Sequence, residues 1–242
     1  MKTKLLAFLT TVIFLFTSSC VYVLSMDHVK ATGEVVKEKR TVDSYNSIDV
    51  SSGIHVILKQ TGNYSVEVEA NENFLEYIIV EVKENTLHIK VENGTSLMGG
   101  TKNVYVEIDK VEDIEISSGA SANSEGIISG SEMEVSVSSG ARADLNIEAE
   151  EIDVKASSGA HINLEGKVTN EMDANASSGA HIKAPDFDGR ELEASVSSGA
   201  HISVGDFKEI DASVSSGGHI SYSGDPDKVD VNKSSGGNVS RR

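Results

Sequence analysis

Two kinds of titratable side chain recur in this sequence at intervals that could assemble chemistry. His161, His181, His201 and His219 follow one another at 18 to 20 residues, with Arg142, His55, Ser121 and Asn238 at the same place in other repeats. Imidazole is the commonest transition-metal ligand, so such a row invites a metal reading. A second row is acidic: Asp113, Glu134, Asp153, Asp173, Glu193, Asp211 and Asp230 recur with the same period, and Glu132, Glu151, Glu171, Glu191 and Glu209 precede five of them by two residues. Hard oxygens in that number suit Ca²⁺. Against both readings, a metal site needs a fixed ligand count at about 2.0–2.1 Å, whereas a repeat supplies one histidine per unit. No D-x-D-x-D-G loop or glycine-rich nonapeptide accompanies the carboxylates. Neighbouring carboxylates about 5 Å apart repel by about 1 kcal/mol in water, and salt screens the rest. The rows therefore read as a polar ladder and a solvated face that resists aggregation, with no cofactor and no metal site expected.

Catalytic constellations are absent from the sequence. It contains no H-E-x-x-H, G-x-S-x-G, Walker loop or paired-cysteine spacing. A catalytic carboxylate pair would stand out as an exception to the repeat, and these carboxylates are the repeat. The non-repeating cations are Arg142, Arg190, Lys155 and Lys183, and nothing in the sequence brings them together. No enzymatic activity is expected.

The elements that must position these rows are written in a third recurrence. Ser-Ser-Gly occurs eight times, beginning at Ser51, Ser117, Ser138, Ser157, Ser177, Ser197, Ser215 and Ser234, and the last seven copies lie 18 to 21 residues apart. A fixed period near 20 is the mark of a solenoid, whose units bury their apolar faces only by stacking. Within one unit the period is two. Leu192, Ala194, Val196, Ser198, Ala200, Ile202 and Val204 form one side; Glu191, Glu193, Ser195, Ser197, Gly199, His201 and Ser203 form the other. The neighbouring units repeat it through Met172 to Ala184 and Ile210 to Tyr222. These are strands, and the fold class is all-β: a single-stranded parallel β-helix, or β-solenoid, with about 20 residues per coil. The same frame places the second serine of each motif inside, so that Ser118, Ser139, Ser158, Ser178, Ser198 and Ser216 form a buried hydroxyl column and Ser198→Leu overpacks it. The 66 residues between the first two motifs read as about three further coils, broken at Asn71 to Tyr77 by a short helical turn or insertion. Lys110 to Asp113 reads as the boundary between an irregular part and the regular solenoid.

The N-terminus reads as an export signal. Lys2 and Lys4 precede an apolar run from Leu5 to Phe16, and small residues lead into Cys20, the only cysteine. That arrangement resembles a lipobox, with Thr17 in place of the usual leucine, and makes Cys20 the lipidation site; the alternative is an uncleaved anchor over Leu5 to Ser25. The chain then divides into a signal peptide (1–19), a lipid anchor and linker (20–35), a less regular β part (36–110) and a regular β-helix (111–240). The formal charge of −17 argues against nucleic acid and anionic membrane surfaces as partners. Without Trp and with six Tyr, the chain offers few aromatic platforms. At the far end Lys233 interrupts an inward apolar column and Arg241-Arg242 follow, which discourages end-to-end stacking.

Four segments resemble the "putative auto-transporter adhesin, head GIN domain" family of bacterial surface lipoproteins. They are Arg40-Thr-Val-Asp-Ser-Tyr-Asn-Ser-Ile-Asp-Val-Ser-Ser-Gly53, Tyr64-Ser-Val-Glu-Val-Glu-Ala-Asn-Glu-Asn73, Ile114-Glu-Ile-Ser-Ser-Gly-Ala120 and Val214-Ser-Ser-Gly-Gly-His-Ile220. The resemblance runs from about Val36 to Val239 and implies a right-handed single-stranded β-helix, often in Bacteroidota. It supplies no catalytic or binding residues. The function expected is that of a non-enzymatic cell-envelope lipoprotein, membrane-attached through Cys20 at the outer membrane. Its rigid surface would serve adhesion or scaffolding toward a protein or polysaccharide partner. The alternatives are a polysaccharide-acting β-helix enzyme, which should show a long groove flanked by extended loops, and a cation-dependent structural module.

Overall fold

The computed structural model describes residues 26–242. The segment that carries the export signal and Cys20 lies outside the described residues. From Met26 onward the chain is a β-solenoid, and a single 3-10 turn, Glu72–Phe74, is the only helical element among the described residues. Strands Ser121–Val137, Arg142–Ala156, His161–Ala176, Phe187–Val196 and His201–Val214 stack in parallel and nearly in register. Their alternating pattern sends Met133, Ile152, Met172, Leu192 and Ile210 into one continuous buried column. Ala122, Ala143, Ile162, Ile182, Ile202 and Ile220 form another on the opposite arm. Coil length varies only away from the Ser-Ser-Gly turn: the register shifts fall between Asn123 and Ile127, between Ala149 and Glu151, between Lys167 and Glu171, and between Val204 and Asp206.

The Ser-Ser-Gly corner does not vary, and its geometry overturns the inward placement of the second serine. Ser118, Ser139, Ser158, Ser178, Ser198 and Ser216 are exposed, with φ between 48° and 53°. The following glycines also have positive φ, 71° at Gly179 and 70° at Gly199. Two successive left-handed residues, closed by the Ala180 N–H donating to the Ser177 carbonyl at 3.1 Å, make a tight turn of the I′ kind. The period of two holds on either side of the turn, but the turn itself carries the serine outward. Ser198→Leu therefore meets solvent, not the core.

The turns stack as closely as the strands. The Gly179 N–H donates to the Ser198 carbonyl at 3.1 Å, and the same bond joins Gly119 to Ser139, Gly140 to Ser158, Gly159 to Ser178 and Gly199 to Ser216. The first motif joins this series directly, because the Gly53 N–H donates to the Ser118 carbonyl at 3.1 Å. Ser47–Val50 pairs in parallel with Asp113–Ile116, so no coils intervene between the first two motifs. The intervening chain instead builds the end of the stack. Thr86–Val91 and Lys102–Ile108 add one more parallel rung beneath Ser47–Val50 and His55–Gln60. Ile78–Lys83, Ser65–Asn71 and Val35–Arg40 then pair antiparallel, converting the open edge into a closed cap. Asn71 to Tyr77 holds the 3-10 turn, which inserts Phe74 into the cap's core. At the other end Val229 and Val231 continue the inward columns but remain 38% and 41% exposed. There Lys233 bends its ammonium onto the Val239 carbonyl at 3.3 Å.

A β-carbon added at Gly179 would meet nothing within 4 Å, so its substitution tests backbone conformation alone. Gly179→Ala is expected to cost about 1–2 kcal/mol, because φ there is left-handed. Ser178→Gly, which relaxes the other left-handed residue, should be neutral or stabilising. Urea melts check both, and a neutral Gly179→Ala would contradict the turn.

Candidate functional site

Stacking converts each outward repeat position into a column, and the register fixes which residues meet. The carboxylates anticipated from the sequence do line up: Asp113, Glu134, Asp153, Asp173, Glu193, Asp211 and Asp230 pair successively. Glu132, Glu151, Glu171, Glu191 and Glu209 form the column beside them, ended by Lys228. Burial and crowding act together on two of them. Burial first, then the Glu134 and Glu115 carboxylates, raises the pKa of Asp113; burial first, then Asp153 and Glu193, raises that of Asp173. Lys155 relieves part of this by spanning two coils, 3.0 Å from Glu134 and 2.7 Å from Asp153. These hydrogen bonds hold the ammonium well above the ordinary lysine value and Glu134 below the ordinary carboxylate value. Among the described residues no three His, Cys, Asp or Glu side chains converge as a metal site.

The histidine row is a stack of rings. His161 and His181 lie 4.9 Å apart and 10° from parallel, His181 and His201 5.0 Å apart and 4° from parallel. His219 tilts away by 56° at 5.9 Å, turned by hydrogen bonds with Asn238 and Ser240. Two nitrogens bound to one ion can be at most about 4.2 Å apart, twice the usual metal–nitrogen distance. Equivalent nitrogens of parallel rings 4.9 Å apart exceed that limit. The ladder is therefore a packing arrangement. Burial first, then the flanking His161 and His201, holds His181 below the ordinary histidine value, and its Nδ1 is enclosed without a hydrogen-bond partner among the described residues.

The non-repeating cations are not gathered into one centre. Arg142 makes a two-pronged contact with Asp144 at 2.6 and 2.8 Å, and Asn163 also donates to that carboxylate. Arg190 contacts Asn170 and Glu191. Lys183 stands beside the histidine stack, two residues beyond His181 on the same face.

A feature not anticipated from the sequence is a groove of about 700 Å³ running along the stack at the foot of the turns. One wall is the residue two before each motif: Ser136, Lys155, Asn175, Ser195, Ser213 and Asn232. The other wall is the first serine of the motif, and the floor is the apolar residue between them. No loops build this groove; it is the hollow left where each strand bends into its left-handed turn. The serines on both walls were its only trace in the sequence. A wider cavity of about 950 Å³ lies where the cap meets the regular coils, lined by Asp109, Glu112, Asp113, Glu132 and Glu134 among others.

Residues 44–226 match the family described as "Putative auto-transporter adhesin, head GIN domain", and the chain belongs to that family. The fold is shared with a crystallised "putative adhesin" from Bacteroides fragilis NCTC 9343, at 17% identity and a TM-score of 0.83, over 88% of this chain and 100% of that one. A "putative lipid binding protein" from Parabacteroides distasonis ATCC 8503 superposes at 18% identity and 0.74, over 89% and 100%. A "putative adhesin" from Parabacteroides merdae ATCC 43184 does so at 18% and 0.67, over 89% and 99%. No curated protein matches the sequence.

The histidine stack carries a pH expectation whose sign follows from His181. A histidine depressed in the folded state binds fewer protons there than in the unfolded chain. Stability is therefore full above the unfolded value near 6.5 and falls as the pH drops through it. Arg142 and Lys183, facing the same column, add to the repulsion, and Asp144 opposes it. Asp113 and Asp173, whose values are raised, act in the opposite sense at lower pH, so the comparison belongs between pH 8 and 5.5. Thermal melts should show a loss across that window that His181→Gln reduces; an identical loss in the variant would contradict this.

Proposed function

We propose that the protein is a non-enzymatic cell-envelope adhesin whose stiff β-solenoid presents a long lateral surface. The observation that carries this reading is the constancy of the coil. Strands, turns and outward columns repeat with short register shifts that all lie away from the Ser-Ser-Gly turns, so no extended loops interrupt the faces. Surfaces of that kind suit partners that are themselves extended. Membership of a family described as adhesin-like agrees with it.

In this reading Cys20 is acylated and holds the protein at the outer membrane. The six residues from Val21 to Met26 allow a tether of at most about 22 Å. On such a tether the antiparallel cap would lie nearest the membrane, with the acidic columns, histidine stack and groove on the flanks beyond it. At the far end Lys228, Lys233, Arg241 and Arg242 stand among Asp225, Asp227 and Asp230, and Arg241 pairs with Asp225 at 2.9 Å.

Metabolic labelling with a palmitate analogue tests the anchor: label is expected on the native chain and not on Cys20→Ala, which should leave the membrane fraction. Cells displaying the native chain should bind immobilised envelope or matrix polymers, and cells carrying Cys20→Ala should not. Labelling without any adhesion would reject the adhesive role while keeping the anchor.

A further inference from the structure

We infer that the groove at the foot of the Ser-Ser-Gly turns is a binding cleft for one uncharged, extended polysaccharide chain lying along the solenoid axis. This rests on the adhesive reading and names its ligand. The groove crosses seven coils, from Glu115 to Asn232. Six strand spacings of about 4.8 Å give it a length of about 29 Å.

Its lining is amphiphilic in a particular order. The first serines of the motifs, such as Ser157, Ser177 and Ser197, set hydroxyls along one wall at the strand spacing. On the opposite wall Ser136 and Asn175 donate sideways to Glu134 and Asp173 and leave acceptor oxygens toward the groove. The floor is a thin apolar line nearly closed over by the walls. Val137, Ala156, Ala176, Val196 and Val214 are 2–4% exposed, whereas Val135, Val154, Ala174, Ala194 and Ala212, two residues earlier, are fully buried. The two alanines lie at adjacent coils in the middle, leaving most room there.

A ligand matched to this has hydroxyls at its edges, carbon–hydrogen faces, and a repeat near the strand spacing. An extended β-1,4-linked pyranose chain meets all three conditions, one unit spanning about one coil and the same face recurring every second coil as successive units turn over. A peptide strand repeats its side-chain pattern at about 6.6–6.8 Å and falls out of step within two coils. An acyl chain would leave both rows of hydroxyls without partners. Anionic polymers are opposed by the carboxylate column one strand step from the wall, which Lys155 offsets only at its own coils. Without aromatic platforms each sugar contributes little, so affinity must come from the number of coils engaged.

The test is calorimetric titration of the full chain with β-1,4-linked gluco-, manno- and xylo-oligosaccharides of two to eight units. For at least one series, affinity should rise with each unit to about six and then level off. Ser177→Trp, which fills the middle of the groove from its half-buried wall, should weaken binding at least tenfold with an unchanged melting temperature. Polygalacturonate, a decapeptide of alternating Ser and Val, and dodecanoate should not compete. Silence toward all three series, competition by the peptide or the fatty acid, or binding that Ser177→Trp leaves intact would overturn the inference. If Ser177→Trp abolishes glycan binding yet displaying cells still adhere, the cleft exists but is not the adhesive site. If native cells do not adhere at all, the adhesive reading fails independently of the groove.

Discussion

One hydrogen bond organises this molecule: the glycine N–H of each Ser-Ser-Gly turn donating to the second-serine carbonyl of the next. It runs from Gly53 to Ser118 and onward to Gly217 and Ser235 at 3.1 to 3.2 Å. A ladder confined to strands could slip, because a parallel pair offers evenly spaced partners. A ladder that continues through a turn of two left-handed residues cannot, since the turns nest only in one register. Holding a serine at φ near 50° costs free energy at every coil, and stacked ladder bonds offset it.

Register then decides surface chemistry. When like stacks on like, a solvated residue becomes a column, and its neighbours become its environment. Burial, and after it the neighbouring carboxylates, raises Asp113 and Asp173, yet the columns stay half in water, where the cost of crowding is small. The histidines become parallel rings at contact distance, too far apart along the column to share an ion. The groove is the same effect in the backbone: one bend, repeated in register, becomes a cleft. Each feature is a small local property multiplied by the number of coils.

This also explains what was legible in the sequence. Period-two alternation from Glu191 to Val204 and the 20-residue recurrence identify strands, core and columns, because both depend on side-chain type alone. The second serine was misplaced because alternation assumes extended backbone, and two left-handed residues rotate the chain out of that frame. Asparagine or aspartate there would have signalled a turn more loudly than serine does. The stacking of the first motif on the second was hidden for another reason. Sixty-six residues of separation carry no sign that Ser65–Asn71 and Ile78–Lys83 run antiparallel and so return the chain to the first turn. The groove was illegible because it belongs to a bend shared by seven coils and not to any residue.

The most direct test of the account is therefore whether the first turn lies against the second. In a Cys20→Ala background, Ser52→Cys and Ser118→Cys introduce thiols on exposed turns of adjacent rungs, joined by the 3.1 Å bond from Gly53 to the Ser118 carbonyl. Rungs about 4.8 Å apart lie within the Cα range of about 4.4–6.8 Å that a disulfide spans. The continuous turn ladder predicts that mild oxidation closes this bridge as readily as the Ser118→Cys, Ser139→Cys pair. Closure of the second pair without the first would contradict it and restore intervening coils between the two motifs.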